Sequence, residues 1–193
     1  MIFIGLTSTI KSTLQQNTLP LEEEWILRVA KGDQQAFASL YQATASAVYG
    51  FALLILKDHT LAEDVMQDAY LKIHAGAEKY RPQGKPMAWV LRIVRNLSLM
   101  KLRQLKENSA VSIEESWDIH EARDFVSESN NKLLLQAAMQ ILTDEERQIV
   151  TLYAVSGMKH REIASLVGLP LPTVLSKYRR ALMKLKKRME EQG

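Results

Sequence analysis

The helical spacing of apolar residues is the feature of this sequence that most constrains its fold. Only eight glycines and five prolines interrupt the 193 residues, and apolar and polar residues nowhere alternate long enough to predict strands. One helical stripe consists of Phe37, Leu40, Tyr41, Thr44, Val48, Phe51, Ala52 and Ile55, with Thr44 as its one polar member. Similar stripes run from Leu61 to Ile73 and from Val90 to Leu97. The pattern predicts an all-α protein.

Capping residues indicate where the predicted helices begin and end. Thr60–Glu63 and Thr143–Glu146 both have the capping-box pattern, in which Thr and Glu satisfy the free N–H groups of a helix start. Residues 81–86 contain two prolines and a glycine, which predicts a loop. Pro86 suits the first turn of the next helix, which we expect to reach about residue 105. Further helices are expected over 132–141 and from Thr143 to a stop at Gly157.

The sequence from Lys159 onwards has the pattern of a helix-turn-helix. A short helix that buries Ile163, Ala164 and Val167 would be followed by a turn at Gly168 and a long basic helix. The long helix has an apolar face of Val174, Tyr178, Ala181, Leu185 and Met189, and a polar face of Thr173, Ser176, Lys177, Arg180, Lys184 and Lys187. The alternative is a helical hairpin in a bundle whose exposed face happens to be basic.

Charge is distributed unevenly, although the net charge is only +3. Residues 81–106 contain seven basic and no acidic residues, and residues 159–188 contain nine basic residues and one acidic residue. Between these blocks, residues 107–130 contain seven acidic residues and one basic residue. Two cationic blocks predict a polyanion contacted at two places, and solvated helix faces are the alternative.

These patterns together predict two small helical domains joined by an acidic linker. The expected order is an N-terminal extension at 1–20, a helical domain at 21–106, the linker at 107–130 and a second helical domain at 131–193. A short helical turn is expected near Trp117 within the linker.

Several classes of protein are disfavoured. The chain has no cysteine, so disulfides, cysteine-ligated zinc and thiol catalysis are excluded. Its four histidines lack ligand spacing, and it has no glycine-rich phosphate loop and no nucleophile motif. No uninterrupted apolar run approaches the length of a membrane span, and the apolar start is too short for a signal peptide. We therefore expect a cytoplasmic protein without catalytic residues, metal, cofactor or membrane insertion.

The third predicted helix and the loop before it combine cations with aromatic and amide side chains, which suit the exposed bases and phosphates of melted DNA. The residues expected to contact such DNA are Tyr80, Arg81, Lys85, Trp89, Arg92, Arg95, Asn96 and Arg103. For Tyr80 and Trp89 taken singly, packing in or near the core is the alternative.

The polar start of the long basic helix suits base edges in the major groove of duplex DNA, and its arginines and lysines suit bases and phosphates. The residues expected to contact duplex DNA are Lys159, Arg161, Thr173, Ser176, Lys177, Arg179 and Arg180.

The second predicted helix carries the opposite charge. Glu63, Asp64, Gln67 and Asp68 lie away from its apolar stripe, where they would repel DNA but suit a basic protein surface. The alternative is stabilisation of the helix N-terminus, which explains Glu63 and Asp64 better than Asp68.

Four segments in order resemble bacterial RNA polymerase sigma factors of the extracytoplasmic-function (ECF) group. Gly32–Tyr41 is similar to that family's "GD..AF..LY" opening, and Ala62–Tyr70 to its "AED..Q..F" helix, with Tyr70 in the Phe place. Ala88–Asn96 resembles the "W...IARN" helix, and Glu162–Val174 the "EIA...G.P.GTV" helix-turn-helix. The resemblance covers about residues 21–189.

The resemblance implies a function for each part. The first domain would be sigma region 2, whose acidic helix docks on the β′ clamp helices of core RNA polymerase and whose basic helix and loop read and open the −10 element of promoter DNA. The second would be region 4, which reads the −35 element and touches the β flap. The linker would thread towards the active centre, and an anti-sigma protein is a further partner that the family suggests.

Three positions depart from the family pattern: Pro172 replaces Gly, Leu175 replaces a basic residue, and Met100 replaces Asp. The first two bear on −35 recognition. Two other functions are alternatives to that of a sigma factor. A stand-alone helix-turn-helix regulator would explain the second domain but not the acidic helix, and a sigma-like decoy would not need the basic faces.

Overall fold

The computed structural model describes residues 21–108 and 141–190, and all regular secondary structure in these ranges is helical. The helices are α1 Glu23–Val29, α2 Gln34–Leu56, α3 His59–Gly76, α4 Pro86–Asn108, α5 Asp144–Ser156, α6 His160–Val167 and α7 Leu171–Glu190, with a 3-10 turn at Ala77–Lys79 after α3. The predicted all-α class is confirmed. The N-terminal extension, the turn near Trp117 and the helix expected over 132–141 lie outside the described residues, except for Ile141.

The described residues belong to two compact units. Helices α1 to α4 form the first unit, and α5 to α7 form the second. Helix α4 continues to Asn108, so the first two residues of the predicted linker belong to this helix.

Helix α2 is the central helix of the first unit. It packs against α1, α3 and α4, and α3 also packs against α4. Leu40, Val48 and Phe51 of α2 are buried together with Ile73 of α3 and Leu91 of α4. Burying such aliphatic and aromatic side chains is the main source of stability in a bundle of this size.

The polar residue on the α2 stripe is part of the core. Thr44 is fully buried, and its hydroxyl donates a hydrogen bond to the Leu40 carbonyl (2.7 Å). The Tyr70 hydroxyl lies 2.8 Å from Thr44 Oγ1, so each buried hydroxyl has a partner. Tyr70 therefore carries a polar atom that the Phe of the family pattern lacks, and Thr44 accommodates it.

Helix α2 is also long and apolar enough, by length and composition, to cross a membrane. Gln, Ser, Thr and Gly are interspersed in this segment, so it contains no uninterrupted apolar run of that length. Of its most apolar 18-residue window, 56% is buried inside the protein. This burial is what a core helix of a bundle requires.

The start of α3 corrects one predicted cap. The N-cap is Asp58, whose Oδ1 accepts a hydrogen bond from the Leu61 N–H (2.8 Å), and the helix begins at His59. Thr60 therefore lies inside the first turn and is not the N-cap. Lys57 ends α2 in the left-handed conformation (φ 57°), so only two residues separate the two helices.

The second unit matches the sequence pattern more closely. Thr143 and Glu146 form the predicted capping box at the start of α5. Gly157 and Gly168 end α5 and α6 with φ values of 66° and 73°, a conformation that glycine adopts without steric cost. Leu182, which was not part of the predicted apolar face of α7, is buried in this unit's core.

Candidate nucleic-acid and protein interfaces

Helix α4 presents three of the predicted DNA-contacting residues at the surface. Arg92, Asn96 and Arg103 are exposed. Arg95 is half-buried, and its Nε has no hydrogen-bond partner within the described part of the chain. Burial lowers the pKa of Arg95, yet an arginine remains charged at neutral pH. The exposed surface of α4 is therefore cationic, and the unpaired Nε of Arg95 lies buried beneath it.

The loop before α4 is held by an acidic residue of α1. Glu23 Oε1 accepts hydrogen bonds from the Tyr80 hydroxyl (2.5 Å) and from the backbone N–H groups of Gln83 (2.8 Å) and Gly84 (2.9 Å). The hydrogen bond from Tyr80 is the main reason that the pKa of Glu23 lies below its ordinary value. The backbone N–H of Lys85 contributes in the same direction. The half-buried Glu23 carboxylate thus links the loop to helix α1.

The two predicted aromatic contacts lie in different environments. Tyr80 is only 5% exposed, and burial raises the pKa of its hydroxyl. Trp89 is half-buried, and its ring meets the Tyr80 ring edge to face with centroids 5.0 Å apart. The structure therefore places Tyr80 in the core, which was the alternative considered for it. Arg81 is exposed and donates to the Tyr80 carbonyl (3.3 Å), and Lys85 is half-buried.

The polar face of α3 is exposed as predicted. Glu63, Asp64, Gln67 and Asp68 all lie at the surface. Asp64 Oδ2 is 3.3 Å from Lys101 Nζ on α4, so this carboxylate is partly neutralised. An exposed pair of this kind stabilises a protein by less than about 1 kcal/mol.

An apolar groove lies beside this acidic face, between α2 and α3. Its lining includes Phe37, Tyr41, Glu63, Met66, Gln67 and Leu71. Leu71 is 70% exposed and Tyr41 is 43% exposed, although Tyr41 was predicted to lie on the buried stripe. Large exposed apolar side chains next to carboxylates are typical of a protein-binding surface.

The start of α7 also presents polar and basic groups. Ser176, Arg179 and Arg180 are exposed, and Thr173 is half-buried. The helix starts at Leu171, so these residues lie in its first three turns. Pro172 directly precedes Thr173 and is exposed, and Leu175 directly precedes Ser176 and is 45% exposed. Lys159 and Arg161 are exposed at the start of α6, where Ile163 and Ala164 are buried but Val167 is only half-buried.

Two lysines of α7 are paired with the first turn of α5. Lys177 Nζ is 2.6 Å from Glu145 Oε2, and Lys184 Nζ is 2.7 Å from Glu146 Oε2. Glu146 is buried, which acts to raise its pKa, but the hydrogen bonds from Lys184 and Thr143 outweigh this effect and the pKa is lowered. Part of the positive charge of α7 is therefore compensated inside this unit.

His160, at the start of α6, packs in a cluster of three rings with Tyr153 and Tyr178, whose own centroids are 4.9 Å apart. The ring centroids of Tyr153 and Tyr178 lie 4.7 Å and 4.6 Å from that of His160. Burial lowers the pKa of His160, whose Nε2 has no hydrogen-bond partner among the described residues. Since the unfolded chain binds the proton more readily, stability is fully present above the ordinary histidine pKa of about 6.5 and falls as the pH drops below it.

Reasoning from sequence missed the roles of Glu23, Glu145 and Glu146. Glu23 precedes its loop partners by 57 to 61 residues, so no local pattern indicates the contact. Glu146 was predicted as the capping-box carboxylate of α5, and Glu145 lies beside it in the first turn. Their ion pairs with α7 join residues distant in sequence, which no local pattern indicates.

Comparison with known protein families gives two matches in the order of the two units. Residues 40–107 match the family model for sigma-70 region 2, and residues 132–185 match that for sigma-70 region 4.

Curated relatives cover nearly the whole chain. The ECF RNA polymerase sigma factor SigK of Mycolicibacterium vanbaalenii is 28% identical over 181 residues, covering 88% of this chain and 91% of that protein. SigK of Mycobacterium tuberculosis is 26% identical over 167 residues, covering 82% and 88%.

Two solved structures share the fold. The structure of CnrH in complex with the cytosolic domain of CnrY has a TM-score of 0.56 and 22% identity, covering 90% of this chain and 99% of that one. The sigma factor RpoE of Bartonella quintana, in complex with the anti-sigma factor NepR, has a TM-score of 0.58 and 24% identity, covering 80% and 96%. With both region models matched in order and these sigma-factor relatives along most of its length, the chain belongs to the sigma-70 family of RNA polymerase sigma factors, in the ECF group.

Proposed function

We propose that this chain directs core RNA polymerase to a set of promoters by docking through the α3 face and groove, opening the −10 element with α4 and its loop, and reading the −35 element with α7. The function of a promoter-specificity subunit follows from membership of the sigma-70 family. The observation that carries it is the first unit's pair of surfaces, one acidic and apolar on α2 and α3, the other cationic on α4. A stand-alone regulator does not need the first surface, and a decoy does not need the second.

Polymerase docking is assigned to the groove and the carboxylates beside it. Exposed Tyr41 and Leu71 supply apolar contact area, and Glu63 and Asp68 supply charge that complements basic clamp helices. Asp64 is less suited to a test by charge reversal, because an arginine there would face Lys101 and could disturb the unit itself.

The docking test is therefore Asp68→Arg combined with Leu71→Asp, with Glu24→Arg as the matched control. Glu24 is an exposed carboxylate of α1, away from the groove. We expect the double variant to lose co-purification with core polymerase while its helical circular dichroism is unchanged. Normal co-purification would contradict the docking assignment.

Recognition of the −10 element is assigned to α4 and the loop at 81–85. Arg92, Asn96 and Arg103 would bind the backbone and bases of the opened strand, and the half-buried Arg95 would add positive charge beside them. Stacking and backbone contacts contribute about 1–3 kcal/mol per base, which offsets the few kcal/mol needed to extrude a base. Tyr80 acts in this proposal through the core, not by contact with DNA.

The −10 test replaces Arg92 and Asn96 with alanine and uses Lys31→Ala, at an exposed lysine outside α4, as the control. We expect the holoenzyme to form with both proteins, but only the control to open promoter DNA detected by permanganate reactivity. Equal opening by both proteins would contradict the assignment.

Recognition of the −35 element is assigned to the exposed start of α7 and the basic start of α6, with the β flap as a protein contact of the same unit. An arginine that pairs with a base contributes about 1–3 kcal/mol of discrimination. We expect Arg180→Ala to weaken transcription from a promoter with a −35 element and to leave one without this element unchanged. Equal effects on both promoters would contradict a base-specific role.

Further parts of the proposal concern the setting of this activity. The sigma family is regulatory and non-catalytic, and we infer that this chain has no catalytic reaction of its own and works in the cytoplasm with the polymerase. An anti-sigma protein that covers the groove would compete with docking, which is consistent with the NepR complex of the RpoE relative. The acidic stretch at 107–130 would follow the RNA path in the polymerase, where its charge resembles that of RNA.

A further inference from the structure

Glu23 connects α1 to the loop at 81–85 through hydrogen bonds. One carboxylate oxygen accepts from a side-chain hydroxyl and from two consecutive backbone N–H groups, at distances of 2.5 to 2.9 Å. Hydrogen bonds to a charged acceptor are roughly twice as strong as neutral ones. Two of the three bonds hold consecutive backbone N–H groups of the loop, and the third holds the side chain of Tyr80, which directly precedes the loop.

The middle of the loop lies at the surface. Arg81, Pro82, Gln83 and Gly84 are all exposed, and Gly84 has a φ of 69°, a conformation that other residues adopt only with strain. The loop is bounded by Tyr80, whose ring packs against Trp89 in the first turn of α4. The Lys85 carbonyl accepts hydrogen bonds from the N–H groups of Ala88 and Trp89, which ties the end of the loop to α4, and Glu23 holds the exposed middle of the loop at Gln83 and Gly84.

The same hydrogen bonds decide which loop groups are available to DNA. The N–H groups of Gln83 and Gly84 both point to the carboxylate, so they cannot donate to a base. Carbonyl oxygens and the exposed side chains of Arg81 and Gln83 remain as the groups that can bind one. In this conformation the loop offers a base its backbone carbonyl acceptors and the side-chain donors of Arg81 and Gln83, while the two backbone N–H donors are held by Glu23.

We propose that Glu23 is a positioning residue that sets the loop at 81–85 in the shape that captures and selects an unpaired base of the −10 element. This inference rests on the proposed function, because it needs a holoenzyme that opens promoter DNA. Glu23 acts through the loop and has no contact with DNA in this account.

The test compares Glu23→Ala and Glu23→Gln with Glu24→Ala, all assembled with core polymerase. Opening is followed by the fluorescence of 2-aminopurine placed in the −10 element of a promoter found by mapping transcript starts. A second template carries a pre-melted −10 bubble with each of the four bases in turn at the captured position.

For Glu23→Ala we expect opening of duplex promoter to fall at least about tenfold, the effect of losing one well-made charged hydrogen bond. We also expect the preference among the four bases on the bubble template to flatten. Glu23→Gln keeps an acceptor oxygen and should retain the base preference. Tyr80→Phe, which removes one of the three donors but keeps the ring, should lower opening in the same direction by a smaller factor.

A purely structural role for Glu23 would lower the amount of active protein without changing the base preference, and that result would overturn the proposal. So would opening by Glu23→Ala equal to that of Glu24→Ala. If the Glu23→Ala protein does not fold, the Tyr80→Phe and Glu23→Gln proteins decide the question by the same readout. Failure of the wild-type holoenzyme to open any promoter would instead contradict the proposed function.

Discussion

The ion pair between Glu145 and Lys177 leads to a prediction about −35 binding. The two charged atoms lie 2.6 Å apart, and the side chains are 55% and 21% exposed. Lys177 is on the polar face of α7, between the exposed Ser176 and Arg179. If Lys177 binds a phosphate of the −35 duplex, it must first leave Glu145. Replacing Glu145 with Gln removes this competition and one negative charge near the DNA.

The size of the effect follows from the exposure of the pair. Partly exposed ion pairs of this kind stabilise proteins by about 0.2–1 kcal/mol. Since 1.4 kcal/mol corresponds to a factor of ten, releasing Lys177 tightens −35-dependent binding by up to about fivefold. The gain should shrink at high salt, because both the pair and the phosphate contact are screened.

The assay is holoenzyme binding to two promoter fragments, one with and one without the −35 element. The matched control is Asp144→Asn, which removes a negative charge from the same turn of α5. The Asp144 carboxylate pairs with Arg147 of α5 itself (3.0 Å) and not with a lysine of α7. We expect tighter binding only for Glu145→Gln and only on the fragment with the element. Unchanged or weaker binding relative to the control would refute a phosphate contact by Lys177.

The remaining predictions concern stability. Tyr70→Phe should lower the free energy of unfolding, measured by denaturant titration, by about 1 kcal/mol. The loss should be clearly smaller in a Thr44→Val background, because the two hydroxyls are hydrogen-bond partners. Equal losses in both backgrounds would contradict this pairing. Asp58→Ala should lower the free energy of unfolding by about 0.5–2 kcal/mol, whereas Thr60→Ala should change it by less than about 0.5 kcal/mol. A larger loss for Thr60→Ala than for Asp58→Ala would show that Thr60 is the N-cap. Unfolding free energy measured from pH 8 to pH 5 should decline below about pH 6.5, and His160→Phe should make that decline shallower; an unchanged slope would show that other groups cause it.

Much of the fold was predictable because its determinants are local. Thr143, Gly157 and Gly168 end or begin helices through bonds within a few residues, and each did so where the sequence indicated. The start of α3 was placed wrongly because Asp58 and Thr60 are both good N-caps. Only the backbone conformation, extended at Asp58, decides between them.

The candidate sites were less predictable because they depend on packing between distant segments. Helical periodicity puts Tyr41 on the apolar stripe, but α3 does not cover the edge of that stripe, so the ring lies in the groove. Tyr80 has an aromatic ring of the kind that stacks on bases. Its hydroxyl nevertheless donates a hydrogen bond to Glu23 in α1, and its ring is buried. Lys177 belongs to the polar face of α7 by spacing, and its pairing with Glu145 depends on how α5 packs against α7.

The most direct test of a promoter-specificity function is reconstitution of the purified chain with bacterial core RNA polymerase, followed by mapping of transcript starts on fragmented genomic DNA. We predict a stable complex that initiates at a discrete set of new positions sharing a −10 and a −35 element, and loss of both complex and starts with Asp68→Arg and Leu71→Asp. Sequence-specific DNA binding by the isolated chain, with no complex and no new starts, would contradict this account.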